Sequence, residues 1–457
     1  MKVVLINPSD LRFQGTFKGG VVRGLPLGLA YIAAFLEKEH EVKAIDLSVQ
    51  DVDLQKFFSE YYPDIIGITA TSASFPDGLR IAELAKSIVP NSKVVFGGSH
   101  VSALPLEIVK HNAIDIVVCG EGEITMQEIC NGKNLSEIDG IVYKENGKVI
   151  QNNPRKLIED LNTIPFPARH LFDVFAYPHH PLGKRKPHVS IIISRGCPYH
   201  CIYCSKKVFG RTYRMRSPEN VCDEIEYLIK KYGIKELQII DDSFTLDKNR
   251  AITVLKEIVR RKLDITWITP NGTRADTVDE ELAYWMKESG CHFVFFGVET
   301  GSEKVMKNIR KTYKLAQIED AVKNCKKVGI GVGGFFMFGL PGETPEDAKK
   351  TIDFAKKLNL DACAFHPIVA LPGTELYEMY KEKGFIKDDD TSKYFWHTYP
   401  TVGTDTLSRD EIFYWYKKAH REFYLAPKYI LRKILSMKSW QDVKNNVNGL
   451  KAVLHTQ

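Results

Sequence analysis

The chain has 457 residues, 44% hydrophobic and 26% charged, a balance that suits two or three globular domains and excludes a long disordered chain. Lys plus Arg number 63 against 57 Asp plus Glu, and a net charge of +6 over this length is too dilute to imply nucleic acid. No apolar stretch is long enough to span a bilayer, and the opening run Met1–Pro8 is too short for a secretory segment, so a soluble, cytoplasmic protein is expected.

The first part of the chain alternates short β-rich runs with amphipathic segments, the pattern of a parallel sheet covered by helices. Strands are predicted at 2–7, 41–46, 64–70, 93–98 and 115–120, and helices at 25–39, 77–89 and 105–111. This order predicts a flavodoxin-like, doubly wound (Rossmann-like) domain over 1–135, with any ligand at the carboxyl ends of its strands. Residues 139–152 read as a hairpin about Glu145-Asn146-Gly147-Lys148. The Pro-rich stretch after it (Pro165, Pro167, Pro178, Pro181, Pro187) reads as a linker wrapped on the surface, so that 136–186 joins two domains. A second βα series follows over 187–384, with strands at 188–194, 236–241, 265–271, 292–299, 334–340 and 362–369. Six strands suit a (β/α)6 partial TIM barrel. Residues 385–457 are expected to be mainly helical, with helices at 409–424 and 429–454. No internal repeat or low-complexity tract appears.

Of nine cysteines, Cys119, Cys130, Cys222, Cys291, Cys325 and Cys363 are scattered singly and read as small buried hydrophobes. Cys197, Cys201 and Cys204 are clustered in Ser194-Arg195-Gly196-Cys197-Pro198-Tyr199-His200-Cys201-Ile202-Tyr203-Cys204-Ser205, directly after the first strand of the second series. Loops at that end of barrel strands collect catalytic residues. In a reducing compartment such a cluster points to metal. Three thiolates can hold three corners of an iron–sulfur cube, leaving one iron open. Zinc competes, with His200 or His188 as a fourth ligand, but no second ligand pair appears.

Cys197-x3-Cys201-x2-Cys204, with Tyr203 before the last cysteine, resembles the signature of radical S-adenosylmethionine enzymes over residues 187–384. The resemblance implies a [4Fe–4S] cluster whose open iron chelates S-adenosylmethionine and whose electron cleaves it to methionine and a 5′-deoxyadenosyl radical. It also implies S-adenosylmethionine contacts at successive strand ends: Tyr203; Asp241, Asp242 and Ser243; Thr269 and Asn271; Gly297, Glu299 and Thr300; and Met337, Gly339 and Leu340 against adenine. Taken alone, an acidic residue at a strand end is equally a helix cap and a glycine equally a turn former.

The first domain has neither Gly-x-Gly-x-x-Gly after its first strand nor a P-loop. Its small residues Thr71, Ser72, Gly97, Gly98 and Gly120-Glu121-Gly122-Glu123 stand at strand ends, where a bulky ligand could approach closely. Over about residues 1–131 it resembles the cobalamin-binding domain of the cobalamin-dependent radical subclass, although the Asp-x-His-x-x-Gly pattern that supplies a cobalt ligand elsewhere is absent. The resemblance implies that Thr71, Ser72, Gly97 and Gly98 hold the nucleotide tail and that Gly120, Glu121, Gly122 and Glu123 line the far side. Asn7, Pro8 and the loop 7–24 would then face the corrin. His100 is either a contact to the tail or a surface histidine opening a helix.

The reaction so implied is methylation of an unactivated carbon or of phosphorus, by hydrogen abstraction and then transfer from methylcobalamin. Non-methylating cyclisation, ring contraction or carbon–carbon coupling is the alternative within this architecture. A non-catalytic corrinoid carrier is a third reading, against which the cysteine triplet argues. The implied partners are a small-molecule or lipid substrate and a reductant such as flavodoxin or ferredoxin. The basic, amphipathic segment 428–435 reads either as a helix packed on the barrel or as a peripheral membrane contact. Trp396, His397 and Tyr399 fall where a substrate lid would lie.

Overall fold

The computed structural model describes residues 1–9, 24–386 and 399–436. Most of the loop 7–24, Trp396, His397 and the predicted helix beyond 436 therefore lie outside the described residues.

The first sheet is built from β1 (Lys2–Asn7), β2 (Glu41–Asp46), β3 (Ile65–Thr69), β4 (Lys93–Gly97) and β5 (Ile116–Val118). Helices α1 (Leu27–Leu36), α2 (Leu54–Tyr61), α3 (Phe75–Ile88), α4 (Ser99–Ala103), α5 (Pro105–Ile108) and α6 (Glu123–Cys130) cover it. The five strands are parallel in the order β2-β1-β3-β4-β5, with Val3 opposite Ile65 and Ile65 opposite Lys93. This is the flavodoxin-like order, and it puts every strand's carboxyl end on one edge. Helix α1 is apolar nearly all round because it is covered on both sides, and Ala30 even accepts a backbone hydrogen bond from Ala168. Three helices, α2, α4 and α6, are absent from the sequence expectations. Asp53 caps α2, and α6 begins inside the Gly-Glu-Gly-Glu segment.

The predicted hairpin forms as β6 (Ile141–Glu145) and β7 (Lys148–Gln151), with Asn146 and Gly147 both at positive φ, as its tight turn requires. It does not stand apart. Strand β6 pairs antiparallel with β5, so the hairpin extends the first sheet to seven strands. The stretch after it is not a surface linker either. Leu161, Ile164, Ala168, Phe172, Val174 and Tyr177 are buried in the same hydrophobic cluster as α1 and the barrel strands. Its prolines interrupt periodicity but leave these apolar side chains free to seal the two halves together.

The second sheet contains β8 (His188–Ile191), β11 (Glu236–Ile239), β12 (Thr266–Thr273), β13 (Cys291–Glu299), β14 (Gly331–Phe338) and β15 (Ala362–Pro367), all parallel and in sequential order. Edge strands β8 and β15 do not pair, so the barrel stays open. A short antiparallel ribbon, β9 (Ser194–Arg195) and β10 (Arg214–Met215), follows β8 and carries the cysteine loop between its strands. Around the barrel run α7 (Pro218–Tyr232), α8 (Lys248–Arg260), α9 (Glu280–Glu288), α10 (Glu303–Asn308), α11 (Leu315–Lys327), α12 (Pro345–Lys357) and α13 (Glu375–Glu382). Side chains of Ser217, Asp247, Asp279, Ser302, Thr344 and Thr374 cap most of them, each cap contributing about 1 kcal/mol. Helix α14 (Arg409–Tyr424) packs on the β15 edge and α15 (Pro427–Ser436) follows. On α15, Arg432 donates to backbone carbonyls of Asn359 and Leu360, whereas Ile430, Leu431, Ile434 and Leu435 are exposed. Among the described residues no helix is long and apolar enough to cross a membrane.

Candidate active site

The cysteine loop is held from below by two aspartates. Asp241 accepts hydrogen bonds from the backbone N–H of Ile193 (2.8 Å) and Ser194 (2.8 Å) and from the Ser194 hydroxyl (2.6 Å). Burial pushes its carboxyl up to about 7. Asp241 is thus an internal anchor with both oxygens engaged by the chain itself. Exposed Asp242 accepts from the Gly196 N–H at 3.0 Å and remains open to solvent. Gly196 has φ +85°, and a Cβ there would lie 2.2 Å from the Thr212 carbonyl, so only glycine turns the chain from β9 into the loop.

Cys197 is buried, and Cys201 and Cys204 are half-buried. His200, Cys201, Cys204, Lys206, Lys207 and Arg211 line a cavity of about 280 Å3. Burial pushes the Cys204 thiol up to about 12, and a bound metal ion would offset this by stabilising the thiolate. Among the described residues no three His, Cys, Asp or Glu side chains are grouped to hold one metal ion. Thiolates on three different irons of a cube need no such common point, so the donor set fits a [4Fe–4S] cluster held at three corners. His188, offered as a zinc ligand, begins β8 and packs against His179, at the strand end opposite the cysteines.

Beside the cysteines lies a group of side chains that the sequence only half revealed. Glu299 Oε1 accepts from Lys311 Nζ (2.9 Å) and from the Tyr203 hydroxyl (3.1 Å), and Lys311 Nζ is 3.0 Å from that hydroxyl. Burial opposes the charge of Lys311, but Glu299, with Tyr203 and Tyr313, holds the ammonium well above the ordinary lysine value. Glu299 has φ +70°, an unfavourable conformation for a residue with a Cβ. A Cβ on Gly297 would lie 2.6 Å from Glu299 Oε1, so this glycine makes room for the pair. Lys311 went unnoticed because it sits in the turn after α10, twelve positions beyond its partner and outside any strand-end pattern.

The other strand-end candidates divide. Ser243 Oγ is buried without a hydrogen-bond partner, and Asn271 is exposed, its amide donating to the Ile240 carbonyl. Met337 and Gly339 stand at the end of β14, and Thr269 is buried with its hydroxyl at the Phe295 N–H. Thr300 and Leu340 lie deeper. Thr300 is fully buried and pairs with the Thr351 hydroxyl at 3.1 Å, and Leu340 is a core residue among Ile202, Tyr377 and Tyr380.

The loop after β14 rests on Glu343, whose Oε2 accepts from the N–H of Gly339 (2.6 Å) and Leu340 (3.3 Å). Burial raises this carboxyl from 4.5 to about 8. Between those values the native state holds a proton that the unfolded chain has released, so stability falls as pH rises from about 4.5 to about 8 and then levels. Glu343→Gln is neutral throughout, so its urea midpoint falls less than that of the wild type across this interval. Asp241 preserves part of the slope. Parallel profiles would refute the assignment.

At the strand ends of the first sheet, Gly28, Tyr31, Gly67, Thr69, Gly97, Gly98, Gly120, Glu121, Gly122 and Glu123 line a second cavity, closed on its other side by Ile192, Arg195, Val208 and Phe209. Of the expected cobalamin contacts, Asn7, Pro8, Thr71, Ser72 and His100 do not line it. Asn7 donates to Asp46, which also accepts from the Tyr177 hydroxyl, and Pro8 packs near Gly78. The Thr71 N–H and hydroxyl contact Ser74 at the start of α3. His100 is neither exposed nor in the cavity. It is buried, bonded through Nδ1 to Ser72 (3.0 Å), and pushed down to about 4 by burial.

Glu121 and Glu123 reach the cavity wall, but arginines occupy their carboxylates. Arg195 donates to Glu121 (2.8 Å) and Glu123 (2.6 Å), and Arg214 donates to both oxygens of Glu121 (3.0 and 2.9 Å). The sequence had placed these glutamates against a cofactor. Besides lining the cavity, they tie the first sheet to the stem of the cysteine loop.

Comparison with known proteins agrees with this geometry. The family model described as Radical SAM superfamily matches residues 191–355, and that described as B12 binding domain matches residues 22–130. An uncharacterized methyltransferase of Pyrococcus horikoshii is 37% identical over all of this chain and 99% of its own. Cytidylyl-2-hydroxyethylphosphonate methyltransferase of Streptomyces wedmorensis is 29% identical over 85% of this chain and 83% of its own. Among solved structures, OxsB, a cobalamin-dependent S-adenosylmethionine radical enzyme with aqua-cobalamin and S-adenosylmethionine bound, superposes with a TM-score of 0.75 at 17% identity, covering 99% of this chain and 71% of its own. Three cysteines on a barrel-strand loop, facing a glycine-lined cleft at the ends of a flavodoxin-like sheet, match both families in their residues and their order: the chain belongs to the radical S-adenosylmethionine enzymes that carry a cobalamin-binding domain.

Proposed function

We propose that this protein is a cobalamin-dependent methyltransferase acting on an unactivated carbon of a small molecule or lipid. The observation that carries the reading is the shared wall of the first-sheet cavity, where Gly97, Gly98 and Gly120 face Val208 and Phe209, only a few residues beyond Cys204. When bound, the cluster and S-adenosylmethionine supply one-electron hydrogen abstraction, and the corrinoid supplies a methyl group.

The chain's own residues bring these two capacities together, and such placement is where an enzyme of this kind gains most of its rate. Cys197, Cys201 and Cys204 hold three irons. Tyr203, Glu299 and Lys311 form a rigid, charged wall beside them, with Asp242, Ser243, Asn271, Gly297, Met337 and Gly339 as further contacts for S-adenosylmethionine. Val208, Phe209, Tyr31 and Ile192 give the junction a mostly apolar lining. Gly67, Gly97, Gly98, Gly120 and Gly122 would hold the tail of the corrinoid. Free cysteines throughout the described chain suit a reducing cytoplasm, where a flavodoxin or ferredoxin supplies electrons.

Anaerobic reconstitution with iron, sulfide and hydroxocobalamin, then desalting and a visible spectrum, tests the reading. A stoichiometric corrin band over an iron–sulfur shoulder is expected. An iron–sulfur spectrum with no retained corrin overturns it.

A further inference from the structure

The pairing of Arg195 with Arg214 needs explanation. They are direct cross-strand partners in the β9–β10 ribbon, and like charges directly opposite one another are destabilising. Both side chains are buried, so water does not screen them. Their shared counter-charge is Glu121, which comes from the loop after β5 in the other half of the molecule. Glu123 takes the second Arg195 nitrogen, and the Ile158 N–H takes a lone pair of Glu121 Oε2 at 2.9 Å. The stem of the cysteine loop is therefore closed by a carboxylate that the loop does not itself contain. Arg195 stands two residues before Cys197, and Arg214 ends the same loop.

The clasp is also part of the cofactor cleft. Gly120, Glu121, Gly122, Glu123, Arg195 and Phe209 all line the first-sheet cavity. The Phe209 ring lies 5.1 Å from the Arg195 guanidinium, and its carbonyl accepts from Arg214 at 3.1 Å. Anything seated in the cavity rests on the side chains that shut the loop.

We propose that Glu121, Glu123, Arg195 and Arg214 couple the two cofactor sites: filling the first-sheet cavity fixes the stem of the cysteine loop, and an assembled cluster tightens the cavity in return. These are positioning residues, acting through the cysteines and the cleft. The proposal rests on the reading that this cavity takes cobalamin. Coupling of this kind is reciprocal, so it is measurable from either side.

The test is hydroxocobalamin affinity, by spectroscopic titration of the full chain with its cluster assembled and with iron removed by a chelator. The wild type is expected to bind about 5- to 150-fold tighter with the cluster, the usual range for coupled sites. In Glu121→Gln the two affinities converge, whatever the absolute affinity of each form. If Glu121→Gln fails to fold by circular dichroism, Glu123→Gln, which releases only one nitrogen of Arg195, is expected to lower the ratio in the same direction. A wild type with equal affinities, or a folded variant that keeps the full ratio, overturns the coupling. Absence of cobalamin uptake by both wild-type forms overturns the methyltransferase reading itself.

Discussion

Protein with Cys197, Cys201 and Cys204 all replaced by alanine is expected to form no detectable 5′-deoxyadenosine from S-adenosylmethionine under reducing, anaerobic conditions. The effect is total because no other side chain can take over. Among the described residues no further group of His, Cys, Asp or Glu is placed to hold metal. Of the remaining cysteines, Cys222, Cys291, Cys325 and Cys363 lie deep in the core. The loop itself should survive the change, since Asp241, Asp242 and Gly196 shape its start and Glu121 closes its stem. Hydroxocobalamin should accordingly still bind, weakened by no more than the cluster-dependent ratio predicted above. Chromatography of the reaction mixture and the iron content of the variant are the measurements. Cys222→Ala, a change in the packing of α7 remote from the site, is the control that keeps 5′-deoxyadenosine formation. Continued formation by the triple variant would show that the cysteine loop is not the cluster site.

The parts of this architecture that the sequence discloses are those whose signal is local. Short apolar runs such as 2–7 and 362–369 mark strands, and the helical stretch expected at 409–424 is α14. Cys197, Cys201 and Cys204 are legible because their spacing lies within a single loop. What stays hidden is the partner of each charged group. Glu121 and Glu123 look like cleft residues from their place after β5, and nothing nearby reveals arginines more than seventy positions away. Asp241 looks like a ligand for the same reason, although backbone donors nearly fifty residues upstream have already engaged it. The stretch around Ile164, Phe172 and Tyr177 misleads in the opposite sense, since its prolines suppress periodicity while its apolar side chains still find the core. Local patterns report which face of an element is apolar. They do not report which element will meet it.

The same buried electrostatics leads to the largest stability effect expected in the molecule. Glu224 on α7 is fully buried, with Arg169 from the stretch after the hairpin on one oxygen (2.6 Å) and Arg216, just past β10, on the other. Burial pushes the Glu224 carboxyl up, but the Arg216 and Arg169 guanidiniums more than reverse this and hold it below the usual glutamate value. Each arginine also donates to a main-chain carbonyl near β8, Arg169 to Ser190 (2.9 Å) and Arg216 to Ile192 (3.0 Å). One carboxylate thus joins α7, the segment that seals the two halves, and the foot of the cysteine-loop ribbon. Glu224→Ala leaves two guanidiniums buried with no counter-charge, a loss of about 3–5 kcal/mol, which is a large share of the roughly 5–15 kcal/mol that holds an ordinary domain folded. A marked fall in the urea midpoint is expected, with poorer retention of the cluster, because Arg216 lies two residues beyond Arg214. Asp353→Ala, which breaks the exposed pair with Lys349, should cost less than about 1 kcal/mol. Equal, small shifts for both variants would mean that water reaches Glu224 and that its two arginines are not left without a counter-charge.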